Sequence, residues 1–129
     1  MKILDNLFYS KNDEWVKIEG NKATLGISDY AQDALSDIVF VDISVSVGEE
    51  LVSQQNIGSV ESVKAAADIY TPVEGKVTAI NQAMIDNPEG LNSDPYDKGW
   101  LLELSNDAGF DTEGLMDAAA YKKYIDERG

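Results

Sequence analysis

Lysine is the residue with most chemistry to offer in this chain, and one lysine stands apart from the rest. The sequence has 129 residues and contains neither histidine nor cysteine. That removes Ser-His-Asp and Cys-His nucleophile pairs, the usual zinc ligand sets and thiol chemistry on the protein itself. Carboxylates, lysines, tyrosines and hydroxyls remain. Lys64 is the only basic residue between Gln55 and Gly75, where the other charged residues are Glu61, Asp68 and Glu74. Its neighbours Val63, Ala65, Ala66 and Ala67 are small or apolar, which is unusual for an exposed turn. An ε-amine can be acylated, and a long acyl arm on an exposed, small-flanked tip can carry reaction intermediates. On spacing alone the plainer reading is favoured, that Lys64 is one of nine solvated surface lysines. Two other groupings hold less. Asp13-Glu14 and Glu49-Glu50 resemble acid/base carboxylate pairs, but adjacent residues on a strand face opposite ways, which argues against a hydrolase. Trp15, Trp100, Tyr70 and Tyr96 could form a ligand platform, yet core packing is their simpler role.

The elements that would hold Lys64 are mostly short strands. Val16 and Ile18 alternate with charged residues, Glu19-Gly20-Asn21 turns the chain, and Ala23, Leu25 and Ile27 alternate again, which predicts a hairpin. Asp29 with Gln32 three residues later opens a short helix to about Leu35. Ile38 to Ile43 is the strongest strand, with Val39, Val41 and Ile43 expected on one face. Leu51-Val52 follows the break at Gly48, then strands at Ile57–Val63 and Ile69–Val73, with Lys64 between them. A type I turn there needs no Gly or Asn. Val77–Ile80 and Trp100–Leu104 complete the sheet, and 87–95 reads as a turn-rich connection. From Asp111 the spacing of Leu115, Ala118, Tyr121 and Ile125 is helical, weakened at Gly114. Val47-Gly48-Glu49 and Glu74-Gly75-Lys76 echo one another on either side of Lys64. The expectation is a single mainly β domain over 1–129, a small β sandwich with short helices and a C-terminal helical appendage at about 111–128.

Composition sets the outer limits. With 10 basic and 24 acidic residues the formal charge is −14, which disfavours phosphate backbones and anionic membranes as partners. A hydrophobic fraction of 43% is compatible with a folded globule. The longest aliphatic or aromatic run, Ile38-Val39-Phe40-Val41, is far too short to span a bilayer. Met1 to Ser10 shows no apolar stretch with a cleavage site, so a cytoplasmic protein, or an organelle protein already processed, is expected.

The stretch Gly58-Ser59-Val60-Glu61-Ser62-Val63-Lys64-Ala65-Ala66 resembles the lipoylation segment of the glycine cleavage system H protein family. The resemblance continues through Asp13-Glu14-Trp15-Val16, then Leu25 to Gln32, then Asp37-Ile38-Val39-Phe40-Val41. It also takes in Pro72 to Val77, Asn92-Ser93-Asp94-Pro95-Tyr96 and Gly99-Trp100-Leu101. The placing of Gly48, Lys64 and Gly75 matches the broader lipoyl-domain (barrel-sandwich hybrid) pattern. Biotin carriers flank their lysine with Met and most lipoyl domains put Asp before it; here the flanks are Val63 and Ala65.

This resemblance implies a non-catalytic carrier, monomeric, with lipoate joined as an amide to Lys64. The arm would collect an aminomethyl group from glycine in a pyridoxal-phosphate-dependent glycine decarboxylase. It would deliver the group to a tetrahydrofolate-dependent aminomethyltransferase and be reoxidised by the FAD enzyme dihydrolipoamide dehydrogenase. A lipoate ligase or a lipoyl/octanoyl transferase would attach it. The resemblance also implies that Glu61 is read by the attaching enzyme, and that Glu14 and Asp68 lie at the arm's resting cleft, where a carboxylate could hold an ammonium group. By the same resemblance the compartment is the cytoplasm of a bacterial-type protein, or the mitochondrial matrix. The alternative role is a lipoyl relay or scaffold passing lipoate to other lipoyl-dependent proteins. The departures are histidines: the family commonly has one before the Glu-Trp pair, where Asp13 stands, and often a second where this chain has Ala34.

Overall fold

The structure, a computed structural model, describes residues 2–128. Alternation builds its first hairpin as expected. Strands β2 (Glu14–Glu19) and β3 (Lys22–Ile27) pair antiparallel, with Glu19 opposite Lys22, and Gly20 at φ 63° makes the tight turn. A short β1 (Phe8–Tyr9) adds to β2. The sheet continues from β3 through β9 (Leu102–Ser105) and β8 (Gly75–Ile80) to β5 (Glu50–Leu51), six strands in the order β1-β2-β3-β9-β8-β5. The two echoing glycine segments meet here: β5 pairs β8 with Leu51 opposite Gly75, and Gly48 N–H donates to Val77 O at 2.8 Å.

A second sheet holds β4 (Ile38–Ile43), β6 (Asn56–Ser62) and β7 (Ala66–Tyr70) in the order β4-β6-β7. One cluster of buried side chains, among them Leu25, Ile27, Val41, Ile57, Val60, Ile69 and Leu102, draws on both sheets. A second cluster, Leu7, Tyr9, Trp15, Tyr121 and Ile125, lies under the C-terminal helix α4 (Ala118–Arg128), with the Tyr9 and Tyr121 rings stacked 4.3 Å apart. No helix among the described residues is long and apolar enough to cross a membrane.

Several boundaries differ from the sequence expectation for local physical reasons. The strand after Lys64 runs Ala66–Tyr70, not Ile69–Val73, because β6 recruits the alanines directly: Glu61 sits opposite Ala66 and Val60 opposite Ala67. The first helix, α1 (Asp29–Leu35), is capped by Ser28, whose Oγ accepts from Ala31 N–H, while Gln32 bonds the Asp29 side chain. The connection from β8 to β9 carries two short helices, α2 (Gln82–Asp86) ahead of the turn-rich stretch and α3 (Gly90–Ser93) within it. At the C-terminus the helix starts at Ala118, where the Asp117 carboxylate accepts from Ala120 N–H at 2.9 Å; Gly114 takes φ 87° and Met116 bridges to Tyr9.

The largest change concerns β4. Val39 was expected on the face with Val41, but a bulge between Ile38 and Phe40 shifts the register against β6. Ile38 and Val41 point inward, whereas Val39 and Phe40 are 56% and 49% exposed. Burying each side chain fully would have contributed roughly 1.5–3 kcal/mol. The bulge leaves part of that unused on an open surface.

Candidate functional site

Lys64 stands at the tip of the β6–β7 hairpin, with its side chain exposed. The tip is held by Ser62, a residue that sequence reasoning did not single out. Its Oγ accepts from Lys64 N–H at 3.2 Å and Ala65 N–H at 3.0 Å, and donates to Ala65 O at 3.1 Å. That uses both lone pairs and the proton of one hydroxyl. Ser62 N–H donates to Ala65 O at 2.7 Å, and Val63 N–H to Asp37 O at 3.0 Å, which ties the tip to the start of β4. The non-glycine residues with positive φ among those described are Asp13, Ser36 and Gln54, so the tip needs no left-handed residue. A Ser two residues before the lysine in an otherwise small, apolar turn was the signal that could have revealed this. Among the described residues, Lys64 takes part in none of the ion pairs, which join Lys17 to Glu19, Lys22 to Glu103 and Arg128 to Asp13. The result is an unencumbered amine on a fixed, small-flanked support.

The other three residues from the sequence reading are placed differently. Glu61 is exposed on β6, opposite Phe40 on one side and Ala66 on the other, one residue before the serine that shapes the tip. Asp68 is exposed on β7, and its carboxylate accepts from the Tyr70 hydroxyl at 3.5 Å. Glu14 is only 1% exposed. Its Oε1 accepts from Ser10 Oγ at 2.5 Å and its Oε2 from Tyr70 N–H at 3.1 Å, so it joins β2 of one sheet to β7 of the other. Glu14 and Asp68 therefore meet through Tyr70, by its backbone and its hydroxyl respectively. Burial pushes the Glu14 carboxyl up to about 7 from an ordinary 4.5; the Ser10 and Tyr70 hydrogen bonds pull it down, and the nearby Asp13 charge adds to the rise.

Asp13, where the resemblance led one to look for histidine, has a structural task. Its carboxylate accepts a bidentate pair from Arg128, at 2.8 and 2.9 Å, and the Tyr121 hydroxyl at 2.9 Å. The Arg128 guanidinium lies 4.6 Å from the Tyr30 ring centroid and 4.7 Å from that of Tyr124. Tyr121 also shares a 2.7 Å hydrogen bond with Ser28, the cap of α1. The last helix is thus fastened beside Glu14. Of the four aromatics weighed as a platform, Trp15 is core, with Nε1–H donated to Pro95 O at 2.9 Å. Tyr96 and Trp100 pack against that core from a partly buried position, and Tyr70 serves the Glu14–Asp68 link.

Comparison with known proteins gives one consistent result. A family model described as Glycine cleavage H-protein matches residues 7–128. A protein named Glycine cleavage system H protein from Thermoanaerobacter sp. (strain X514) is 50% identical over 129 residues, covering 98% of this chain and 99% of its own. Glycine cleavage system H protein 2, mitochondrial, of Arabidopsis thaliana is 45% identical over 126 residues, covering 97% of this chain and 80% of its own. A crystal structure of a glycine cleavage system H protein from Mycobacterium marinum superposes with a TM-score of 0.85 at 29% identity, over 98% of this chain and 99% of that one.

Proposed function

Because the chain belongs to the glycine cleavage H-protein family, we propose that it is the lipoyl carrier of that system, with Lys64 as the attachment point. The observation that carries this reading is the Lys64 amine itself, exposed at a hairpin tip, outside every ion pair of the described residues and flanked by Val63 and Ala65. Those surroundings fit an acyl-lysine: no ion pair among the described residues holds the amine, and small neighbours leave room for an active site to close over it. Lipoate attached there supplies a disulfide whose redox chemistry a chain without cysteine lacks.

The chain's own residues then do the positioning. Ser62 fixes the tip, so that Lys64 swings from a constant origin. Tethering raises the effective concentration of the arm at each partner that the protein visits. In this role the protein serves a pyridoxal-phosphate decarboxylase, a tetrahydrofolate-dependent aminomethyltransferase and an FAD-dependent dihydrolipoamide dehydrogenase in turn, and catalyses no step itself. Of the two carboxylates assigned to a resting cleft, Asp68 is the one open to an ammonium group on the arm. Glu14 acts from beneath, holding Tyr70 and hence β7 in place. Incubation with a lipoate ligase, ATP and lipoate, followed by intact-mass measurement, tests the attachment. One lipoyl group on the wild type and none on Lys64→Arg is the expected outcome. A wild type that stays unmodified, or an Arg variant that gains the group, would overturn the reading.

A further inference from the structure

The exposed apolar side chains gather next to the lysine. Five large ones lie open among the described residues, and three of them, Val39, Phe40 and Val63, border the tip; Val63 is 68% exposed. The cross-strand registers show how they are grouped. Phe40, Glu61 and Ala66 form one row across β4, β6 and β7; the row of Val41, Val60 and Ala67 faces the other way, and Asp42, Ser59 and Asp68, two residues along, return to the side of Phe40. Residues opposite one another in antiparallel strands share a face. Phe40, Glu61, Asp42 and Asp68 are all exposed, so this is the outer face of the sheet. Ala66, in the row of Phe40, adds to its apolar floor, and Asp37 stands at the edge, bonded through its carbonyl to Val63. An aromatic centre with a rim of four carboxylates thus leads directly to Lys64. It exists because the β4 bulge turns Val39 and Phe40 outward.

We infer that this face is the docking surface for the enzyme that acylates Lys64, through an apolar pocket for Phe40 and a basic rim that meets Asp37, Asp42, Glu61 and Asp68. The inference rests on the reading of Lys64 as the lipoyl site. Reach selects this partner over those that handle the finished arm. In the acylation step the deprotonated Lys64 amine attacks the carbonyl of a lipoyl adenylate. The new C–N bond forms as the C–O bond to phosphate breaks, AMP leaves with that electron pair, and the excess proton on nitrogen passes to solvent. The attack requires the amine within roughly 3–3.5 Å of the carbonyl carbon. A bare lysine stem can supply that only if the enzyme closes on the residues around the tip. A lipoylated arm extends well beyond the stem and lets later partners dock farther away. The charges agree as well: the rim is acidic on a chain of net charge −14, so its complement is basic and the association is salt-sensitive.

The test uses the unmodified full-length protein and a lipoate ligase, with lipoylation followed by intact mass at varied protein concentration. Phe40→Ala should lower kcat/KM by roughly 10- to 30-fold, as expected for losing an interface anchor, with kcat at saturation retained. Asp42→Asn should raise KM and flatten its dependence on salt. Val52→Ala, an exposed valine outside the patch, should match the wild type, and circular dichroism should show every variant folded. A Phe40→Ala protein lipoylated with wild-type KM, or slowed only in kcat, would overturn the docking surface. If the wild type itself gains no mass, the reading of Lys64 fails instead, so the two failures are distinguishable.

Discussion

Glu14 offers a quantitative test of the packing beneath the site. Its carboxyl is buried between the sheets and titrates at about 7, against 4.5 for the ordinary group. The folded state therefore holds a proton that the unfolded chain gives up between those values. Stability from this residue is fully present below about pH 4.5 and is lost as pH rises through 7, because ionisation of a buried carboxylate opposes folding. At about 1.4 kcal/mol per pH unit, the loss between pH 5 and 8 is about 2–3 kcal/mol. Glu14→Gln keeps the shape and an oxygen for Tyr70 N–H but cannot ionise. Urea unfolding of both proteins at pH 5, 6, 7 and 8 isolates the effect, since the other carboxylates are common to both. The stability advantage of the Gln variant should grow by about 2–3 kcal/mol across that range. Parallel curves from pH 5 to 8 would refute the buried, proton-holding Glu14, and so would a variant that loses ground as pH rises.

Two further perturbations probe the frame. Gly58 has φ 154°, and a Cβ there would lie 2.0 Å from the Asp42 carbonyl oxygen; Gly58→Ala should separate β4 from β6 and cost more than about 3 kcal/mol, read by thermal melting. Arg128→Ala should cost about 1–2 kcal/mol through its bidentate Asp13 pair and its two aromatic contacts, with the loss reduced at high salt. Asp13→Asn keeps a residue that tolerates φ 68° and should show non-additivity with Arg128→Ala in a double-mutant cycle.

The parts of the fold that could be read in the sequence are those whose signal is local. Alternation over Val16–Ile27 and the Gly20 turn specify the β2–β3 hairpin. The small flanks of Lys64, with the resemblance, locate the tip. The run Ile38-Val39-Phe40-Val41 has no polar residue to set a period, so nothing in it announces the bulge that exposes Val39 and Phe40. The resemblance assigns Glu14 to the cleft, but nothing local announces its burial, or its bond to Tyr70 N–H 56 residues away. Asp13 looks like a missing histidine until Arg128, 115 residues on, is seen to grip it. Ser62 falls between these cases, since its three contacts are local but the residue type is common in turns.

Glycine–bicarbonate exchange tests the carrier role most directly. The lipoylated protein is mixed with a pyridoxal-phosphate glycine decarboxylase, glycine and labelled bicarbonate, and label entering the glycine carboxyl is followed. Exchange that needs lipoylated Lys64 and vanishes in Lys64→Arg is the expected result. A fully lipoylated protein that supports no exchange would contradict the carrier role and favour a lipoyl relay.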